Sequence, residues 1–264
     1  MTLQVLVSTM NQKDKSLLKK MNIESDAIVV NQNEQNCVEL FNLNGHEIKW
    51  ISMPECGIGL SRNTCLLNAT SDIVLFADDD IVYHDDYVTS VISAFESTPD
   101  ADLIFFNINL VNSNKNIGDY RLNCLNKRVG FFNSMRYGAC VIAARRKAIL
   151  RERVMFSLLF GGGAEFSSGE DTLFIKDCLD AGLRLYANTY CLGDVDDSSS
   201  SWYKGIDDIF FMDRGMVYSL AFPKIKKIIF TYYSIKSSKL TKSYSFSKIY
   251  SLYKKGGELI KKYR

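Results

Sequence analysis

The sequence predicts an α/β fold, a mainly parallel sheet flanked by helices and followed by a basic C-terminal extension. Three observations predict it. Short apolar, β-rich runs alternate with segments of helical spacing, which is the order of a βαβ chain. Polar clusters follow the apolar runs repeatedly, as expected where strand ends line one ligand-binding crevice of an open parallel sheet. The composition then shifts sharply near residue 223.

Leu3 to Ser8 is the first strand, ending in the polar group Ser8-Thr9-Met10-Asn11, and a helix follows from about Asp14 to Met21. Ala27-Ile28-Val29-Val30 is the second strand and ends in Asn31-Gln32-Asn33. Ile48-Lys49-Trp50-Ile51, the third, runs into Pro54 and the loop Gly57-Ile58-Gly59, after which Ser61 is placed to cap a helix through Ala69. The fourth strand, Ile73 to Ala77, leads straight into Asp78-Asp79-Asp80.

A helix from about Asp85 to Glu96 precedes a strand at Leu103 to Ile108 and a poorly patterned polar stretch, Asn109 to Asn126. Arg136 to Ala144 is expected to be a further strand, with Arg145, Arg146 and Lys147 opening the next helix. After Gly161-Gly162-Gly163 and Ser167-Ser168-Gly169-Glu170-Asp171, helical spacing runs through Leu173, Phe174, Cys178 and Leu179 until Gly182 stops it. No low-complexity linker or internal repeat occurs before about residue 223, so the organisation expected is a catalytic domain over 1–222 and an extension over 223–264.

At 264 residues and 47% hydrophobic content the chain can bury a sizeable core. Seven cysteines, odd in number and without a C-x-x-C pair, argue against a disulfide framework or a thiolate zinc site and for reduced thiols in the cytoplasm. The start lacks the basic segment of a signal peptide, and no 18 apolar residues run together.

The net charge of +2 conceals an asymmetry: residues 224–264 hold 12 Lys/Arg and one acid, Glu258, which leaves 20 Lys/Arg against 29 acids in the rest. The extension is also rich in tyrosine and phenylalanine, a composition that suits an anionic lipid headgroup layer. A merely solvated tail ranks second. Nucleic acid ranks third, because no recognition motif accompanies the charge and the acidic body would repel a polyanion.

Two acidic constellations carry the chemistry. Asp78-Asp79-Asp80 suits a hard divalent cation, Mg2+ or Mn2+, held by one or two carboxylates with water and phosphate oxygens completing the shell. The same triplet also suits a solvated turn, and its composition alone does not choose. Glu170-Asp171 opens a helix, where acids complement the macrodipole; the functional alternative is a carboxylate poised as general base.

The joint pattern does choose. Gly59-Leu60-Ser61-Arg62-Asn63, Asp72-Ile73-Val74-Leu75-Phe76-Ala77-Asp78-Asp79-Asp80 and Gly169-Glu170-Asp171, in this order, resemble the family 2 glycosyltransferases of the GT-A fold, of bacterial surface-polysaccharide type, over residues 3–220. The resemblance implies a Rossmann-like nucleotide-binding domain. It implies donor contacts from Ser8, Thr9, Asn11, Asn31-Gln32, Arg62, Asn63, Asp78 and Asp79. Asp80, with Asp78 shared between ribose and metal, would hold the cation on the diphosphate. Asp171 would be the general base, with Glu170 orienting the acceptor or supporting the loop.

The implied reaction inverts the anomeric carbon, moving a hexose from a UDP-linked donor to a hydroxyl of a lipid-linked glycan at the inner face of the cell membrane. This chain departs from the family in two places. Amides stand where many members have an aspartate at the end of the second strand. The region Cys191 to Trp202, expected to be the loop after the last core strand, has no histidine to contact metal or phosphate; an aspartate there could substitute, Trp202 and Tyr203 could form a lid that stacks on a sugar, or, with equal weight, the region is a disordered acidic loop.

His46 is expected at the surface and His84 at the start of a helix. A sugar-nucleotide pyrophosphorylase would need a Gly/Arg-rich loop where Ser8-Thr9-Met10-Asn11-Gln12 stands. An aspartyl phosphatase would need its D-x-D after the first strand, and a P-loop enzyme needs G-x-x-x-x-G-K-[ST], which is missing. The non-enzymatic alternative is a membrane-associated subunit with a transferase-like fold, against which the intact Asp80 and Asp171 speak.

Overall fold

A computed structural model of the chain describes residues 1–111, 122–196, 206–241 and 243–263. The first half runs β1 (Leu3–Met10), α1 (Ser16–Lys20), β2 (Asp26–Gln32), β3 (Cys37–Leu43), β4 (His46–Met53), α2 (Ile58–Asn68), β5 (Ile73–Asp78), β6 (Ile81–Tyr83), α3 (Tyr87–Ser97) and β7 (Leu103–Val111). The second half runs β8 (Lys127–Val129), α4 (Phe131–Ser134), β9 (Ile142–Arg145), α5 (Arg146–Arg151), α6 (Glu170–Asp180), β10 (Leu185–Asp196), α7 (Asp208–Ala221), α8 (Lys226–Leu240) and α9 (Phe246–Leu259).

The strands form one mixed sheet of order β3-β4-β2-β1-β5-β9-β7-β10-β6, with β8 paired to β10. Its left half, β4-β2-β1-β5, is parallel, and β1, β2 and β5 are buried almost throughout, as continuous apolar strands covered on both faces must be. The sheet is thus mixed and mainly parallel, with helices on its faces, as predicted.

Several local expectations are corrected. The strand before the aspartates is the fifth in chain order, because Cys37–Leu43 pairs antiparallel with β4 in a hairpin. Its turn is Asn44-Gly45, both with positive φ (53° and 90°), which is what a tight hairpin of right-twisted strands requires. Ser61 does not cap α2: the helix begins at Ile58 after Gly57, and Ser61 is buried one turn in. Arg136 to Ala144 contributes only a short antiparallel strand, since Arg136–Gly138 is irregular and Ala139–Val141 is a 3₁₀ turn. Cys191–Asp196 belongs to β10; shifts of register against β7 after Ala187 and after Cys191 break the alternation that would have marked it as strand.

A second apolar core lies outside the sheet. Phe160, Phe166 and Leu173 meet Phe211, Met216, Val217 and Tyr218 of α7, Ile229 and Phe230 of α8, and Ile249, Leu252 and Tyr253 of α9. Residues on both sides of position 222 share it, so the C-terminal helices pack as a unit with α7. Glycines let α7 and α9 cross at backbone distance: a Cβ on Gly256 would lie 2.0 Å from the Met212 carbonyl oxygen, and one on Gly215 would lie 2.3 Å from that of Tyr253.

Gly256→Ala would gain helix propensity of about 1 kcal/mol, but the methyl meets backbone that cannot rotate away, and overpacking costs about 1–3 kcal/mol. The clash should win: thermal denaturation followed by circular dichroism should show a lower Tm for Gly256→Ala. An unchanged or raised Tm would contradict this close crossing.

Candidate functional site

Register places the polar strand ends in a row. Val30 and Asn31 of β2 lie beside Ser8 and Thr9 of β1, and Ser8 lies beside Asp78 of β5. Behind them runs α2, where the Ser61 hydroxyl lies 2.9 Å from that of Ser8. The amides at the end of β2 act within the protein. Asn31 accepts from the Gln12 backbone N–H (3.0 Å) and donates to its carbonyl (2.9 Å), a two-way bridge that an aspartate, lacking a donor, could not make. Gln32 accepts from the Gly57 N–H at 2.7 Å and so fixes the start of α2. Asn11 takes a left-handed conformation (φ 53°), and its N–H is bonded to the Gln32 carbonyl.

Arg62 is the hub. The residue is only 3% exposed, yet its guanidinium donates from Nη2 to Asp78 (2.9 Å) and from Nη1 to both Glu170 (3.0 Å) and Asp171 (2.8 Å). The Phe156 ring lies 5.3 Å from the guanidinium carbon. Burial alone would lower the Arg62 pKa, but the three carboxylates outweigh it and raise it, so the group stays charged. A planar fork can serve three acceptors at two corners, and an ammonium could not hold the same geometry.

The next residue, Asn63, does other work: its amide donates to the Phe156 carbonyl and accepts from the Phe156 N–H, at 2.9 and 2.8 Å. It therefore pins the strap that packs under Arg62 and does not line the cavity.

Glu170 and Asp171 open α6 after Gly169 (φ 120°), the space for whose side chain is filled by Val217 of α7. The small residues of this loop thus admit the protein's own helix at that point. Glu170 is buried, and its second oxygen accepts from the Gly169 N–H at 3.1 Å, so both ends of its carboxylate are engaged. Asp171 is more accessible. Its pKa is raised to about 7, first by burial and then by the neighbouring Glu170 charge, against which Arg62 pulls down. A carboxyl so raised loses its proton near neutrality, where a general base is most effective. Because the shift is upward, ionising Asp171 costs the fold stability as pH rises from the ordinary carboxylate range towards 7.

The carboxylates and the strand ends line one cavity of about 1060 Å3, which includes Ser8, Thr9, Asp78, Asp79, Asp80 and Asp171. Asp79 turns towards β1, accepting from Thr9 Oγ1 (2.5 Å) and Gln12 Nε2 (3.4 Å). Five carboxylates share the lining with four cations, Arg62, Arg136, Arg214 and Lys236, of which Arg62 is ion-paired to three of the acids. The hard carboxylate oxygens fit Mg2+ or Mn2+. Among the described residues no group of three or more His, Cys, Asp or Glu converges as a cage, so a cation here would rely on one or two carboxylates plus ligand oxygens and water.

His84 precedes α3 and has its Nε2 3.7 Å from Asp194 of β10, a pairing that only the antiparallel β6–β10 contact creates. His46 lies 3.9 Å from Glu24. The proposed lid residues Trp202 and Tyr203 lie outside the described residues. The sequence did not single out the opposite wall, where Arg136, Arg214, Tyr218, Tyr232, Tyr233 and Lys236 line the same cavity. Its clustering depends on the packing of α7 against α9, and the helix-spaced tyrosines near lysines were its only trace.

Comparison with known proteins agrees with this architecture. The sequence pattern described as Glycosyl transferase family 2 matches residues 15–154. No curated protein matches. Among solved structures, residues 1–349 of Staphylococcus aureus TarS in complex with UDP-GlcNAc superpose with a TM-score of 0.64 at 15% identity, covering 83% of this chain and 66% of that one. The UDP complex of the same protein gives 0.60 at 18% identity, covering 83% and 65%. The chain thus spans just under two thirds of those solved chains, and the likeness fixes the fold as GT-A.

Removing the hub should expose its role. Arg62→Met leaves three carboxylates without their cation, a change that typically costs about 3–5 kcal/mol when a buried pair is broken. The loss of Tm should be larger at pH 8 than at pH 5.5, because protonation relieves the repulsion. An equal loss at both pH values would contradict the electrostatic role.

Proposed function

The chain belongs to glycosyl transferase family 2, and we propose that it is an inverting transferase that moves a hexose from a UDP-linked sugar to a hydroxyl of a lipid-linked glycan acceptor in surface polysaccharide biosynthesis. The observation that carries this reading is the single cavity in which Arg62 ties Asp78, at the end of β5, to Asp171, at the start of α6.

In this reading the nucleotide lies over the ends of β1 and β2, near Ser8, Thr9 and Asn11. The amide of Asn31 is already bonded to Gln12, so base contacts fall more to the backbone it shapes. Asp171 takes the proton from the acceptor hydroxyl. The hydroxyl oxygen attacks the anomeric carbon as the carbon–oxygen bond to the diphosphate breaks, and the electron pair leaves with the phosphate. A divalent cation, held by Asp80 and Asp78, would supply neutralisation of charge on that leaving diphosphate. Arg62 orients Asp171, keeps part of its charge stabilised and, through Asp78, links its position to the donor side. Glu170 is a positioning residue. Catalysis rests on orientation and fixed charge, with no covalent intermediate.

The reading extends to a place at the inner face of the cell membrane. On α8, Ile228 and Ile235 are 68% and 46% exposed and two turns apart, with the exposed Lys227 and Lys239 beside them, and none of the four lines the cavity. Apolar side chains flanked by lysines suit an anionic headgroup layer. No described helix is long and apolar enough to cross a membrane.

Two measurements check this reading. With a panel of nucleotide sugars and Mn2+ or Mg2+, release of nucleoside diphosphate by wild type should rise with pH through about 7, and Asp171→Asn should lower it about 10²–10⁴-fold and flatten the profile. Wild-type rates in Asp171→Asn would sink the general-base role. Deleting residues 224–264 would remove Phe230, Ile249, Leu252 and Tyr253 from the second core, so the membrane role is better tested by Ile228→Ser with Ile235→Ser. Co-sedimentation with phosphatidylglycerol vesicles should fall severalfold, and undiminished binding would refute the membrane role alone.

A further inference from the structure

A strand whose outer side no described residue covers closes the sheet beyond β4. β3 pairs with β4 on one side, and its other side faces solvent. The opposite edge is treated differently: β6 is only three residues long, and its Tyr83 N–H is bonded to the Met21 carbonyl. β3 runs seven residues, Cys37–Leu43, and none of them is buried. Edge strands are commonly blunted by proline, lysine or a bulge, because a bare row of N–H and C=O groups is a template for another strand. β3 has no proline and no lysine, and its register against β4 is unbroken.

The turn decides which groups are bare. Asn44-Gly45 is a two-residue turn with positive φ at both positions, so the flanking pair, Leu43 and His46, exchanges both of its hydrogen bonds, and so does every second pair back along the hairpin. Leu43, Phe41, Glu39 and Cys37 therefore point their N–H and C=O at β4. Val38, Leu40 and Asn42 point theirs outward, and among the described residues none of these groups bonds to a segment outside the hairpin. Their side chains share one face, where Val38 and Leu40 are 60% and 67% exposed. The other face carries the strand's one charge, Glu39, which is paired with Lys15, while the Lys15 ammonium lies 5.8 Å from the Phe41 ring centroid.

These features are self-complementary. With a two-fold axis at Leu40, two copies of β3 run antiparallel: Leu40 meets Leu40 of the second copy, and Val38 meets its Asn42. Every outward N–H and C=O then finds a partner, and Val38 and Leu40 of both copies make one apolar row. On the opposite face Glu39 meets Phe41 of the second copy, beside which that copy's Lys15 lies, so each carboxylate gains a second ammonium and the charges at the seam balance. We propose that β3 is a homodimer interface, at which two copies of the chain join edge to edge into one continuous sheet. The occupant is a second copy because the bare backbone groups, the apolar pair and the charges all close on the same axis. A seam this narrow belongs to the small interfaces, so the dimer is weak and concentration-dependent. No β3 residue lines the cavity, and pairing leaves the transferase site as it is.

Sedimentation velocity of the full chain over a wide range of concentration tests this. Wild type should shift from monomer to dimer as concentration rises. Leu40→Lys and Leu40→Glu each remove the central apolar pair and set like charges face to face on the axis, and each should weaken dimerisation at least about tenfold. An equimolar mixture of the two should associate severalfold more tightly than either alone, since opposite charges then meet. The side chain is exposed, so both variants should keep the Tm of the dilute wild type, which separates loss of the seam from loss of the fold. A wild type that stays monomeric throughout would overturn the proposal and leave the edge to a strand of another protein. Undiminished dimerisation by Leu40→Lys would overturn it by moving the interface elsewhere, and a mixture no tighter than its components would overturn the two-fold register.

Discussion

Arg62 holds three carboxylates together, from the end of β5 and the first turn of α6, that would otherwise repel one another across a junction of sheet and helix. Everything else about the site depends on that one buried cation. It fixes where α6 begins relative to the strand ends, because Glu170 and Asp171 must both reach the same nitrogen. It also keeps Asp171 short of full neutralisation: burial and Glu170 raise its pKa, Arg62 opposes them, and the balance falls near neutrality. A lysine could not reach three acceptors with two fixed corners, and an apolar residue would leave the acids uncompensated.

The support around the hub is equally specific. Phe156 packs under the guanidinium and is itself clamped by both faces of the Asn63 amide. Phe76, Phe156 and Phe174 form a contiguous aromatic group, with Phe156 and Phe174 stacked 4.0 Å apart, so the strap, the central strand and α6 share one packing unit. On the far side, α7 and α9 cross through Gly215 and Gly256, and this brings α7 and α8 over the cavity. The cavity is therefore shared between two cores. Its acidic lining is set by strand register and the start of α6, and its further cations come in part from the helix packing of α7 and α8.

What could be read in the sequence follows from this division. The acids and Arg62 were legible because each sits at a strand end or helix start, positions that apolar runs and a Gly-Glu-Asp helix opening mark locally. Ser61 was misplaced as a cap because its hydroxyl serves Ser8, a partner 53 residues away that no local rule supplies. The β3–β4 hairpin was missed although Asn44-Gly45 forms its turn, because β3 lies exposed at the sheet edge and carries no clear apolar alternation. Cys191–Asp196 looked like loop because β10 is irregular where it meets β7. The cationic wall was the least legible part, since its residues come from three segments joined only by the second core.

The account is tested most directly at Asp171 itself. An NMR titration of 13Cγ-labelled aspartates, assigned with Asp171→Asn, should give Asp171 a midpoint well above the ordinary carboxylate range and near 7. In Arg62→Met that midpoint should move higher still, because the one charge that favours its ionised form is gone. A wild-type midpoint near 4, or one that does not respond to loss of Arg62, would contradict the claim that this guanidinium sets the charge of the base.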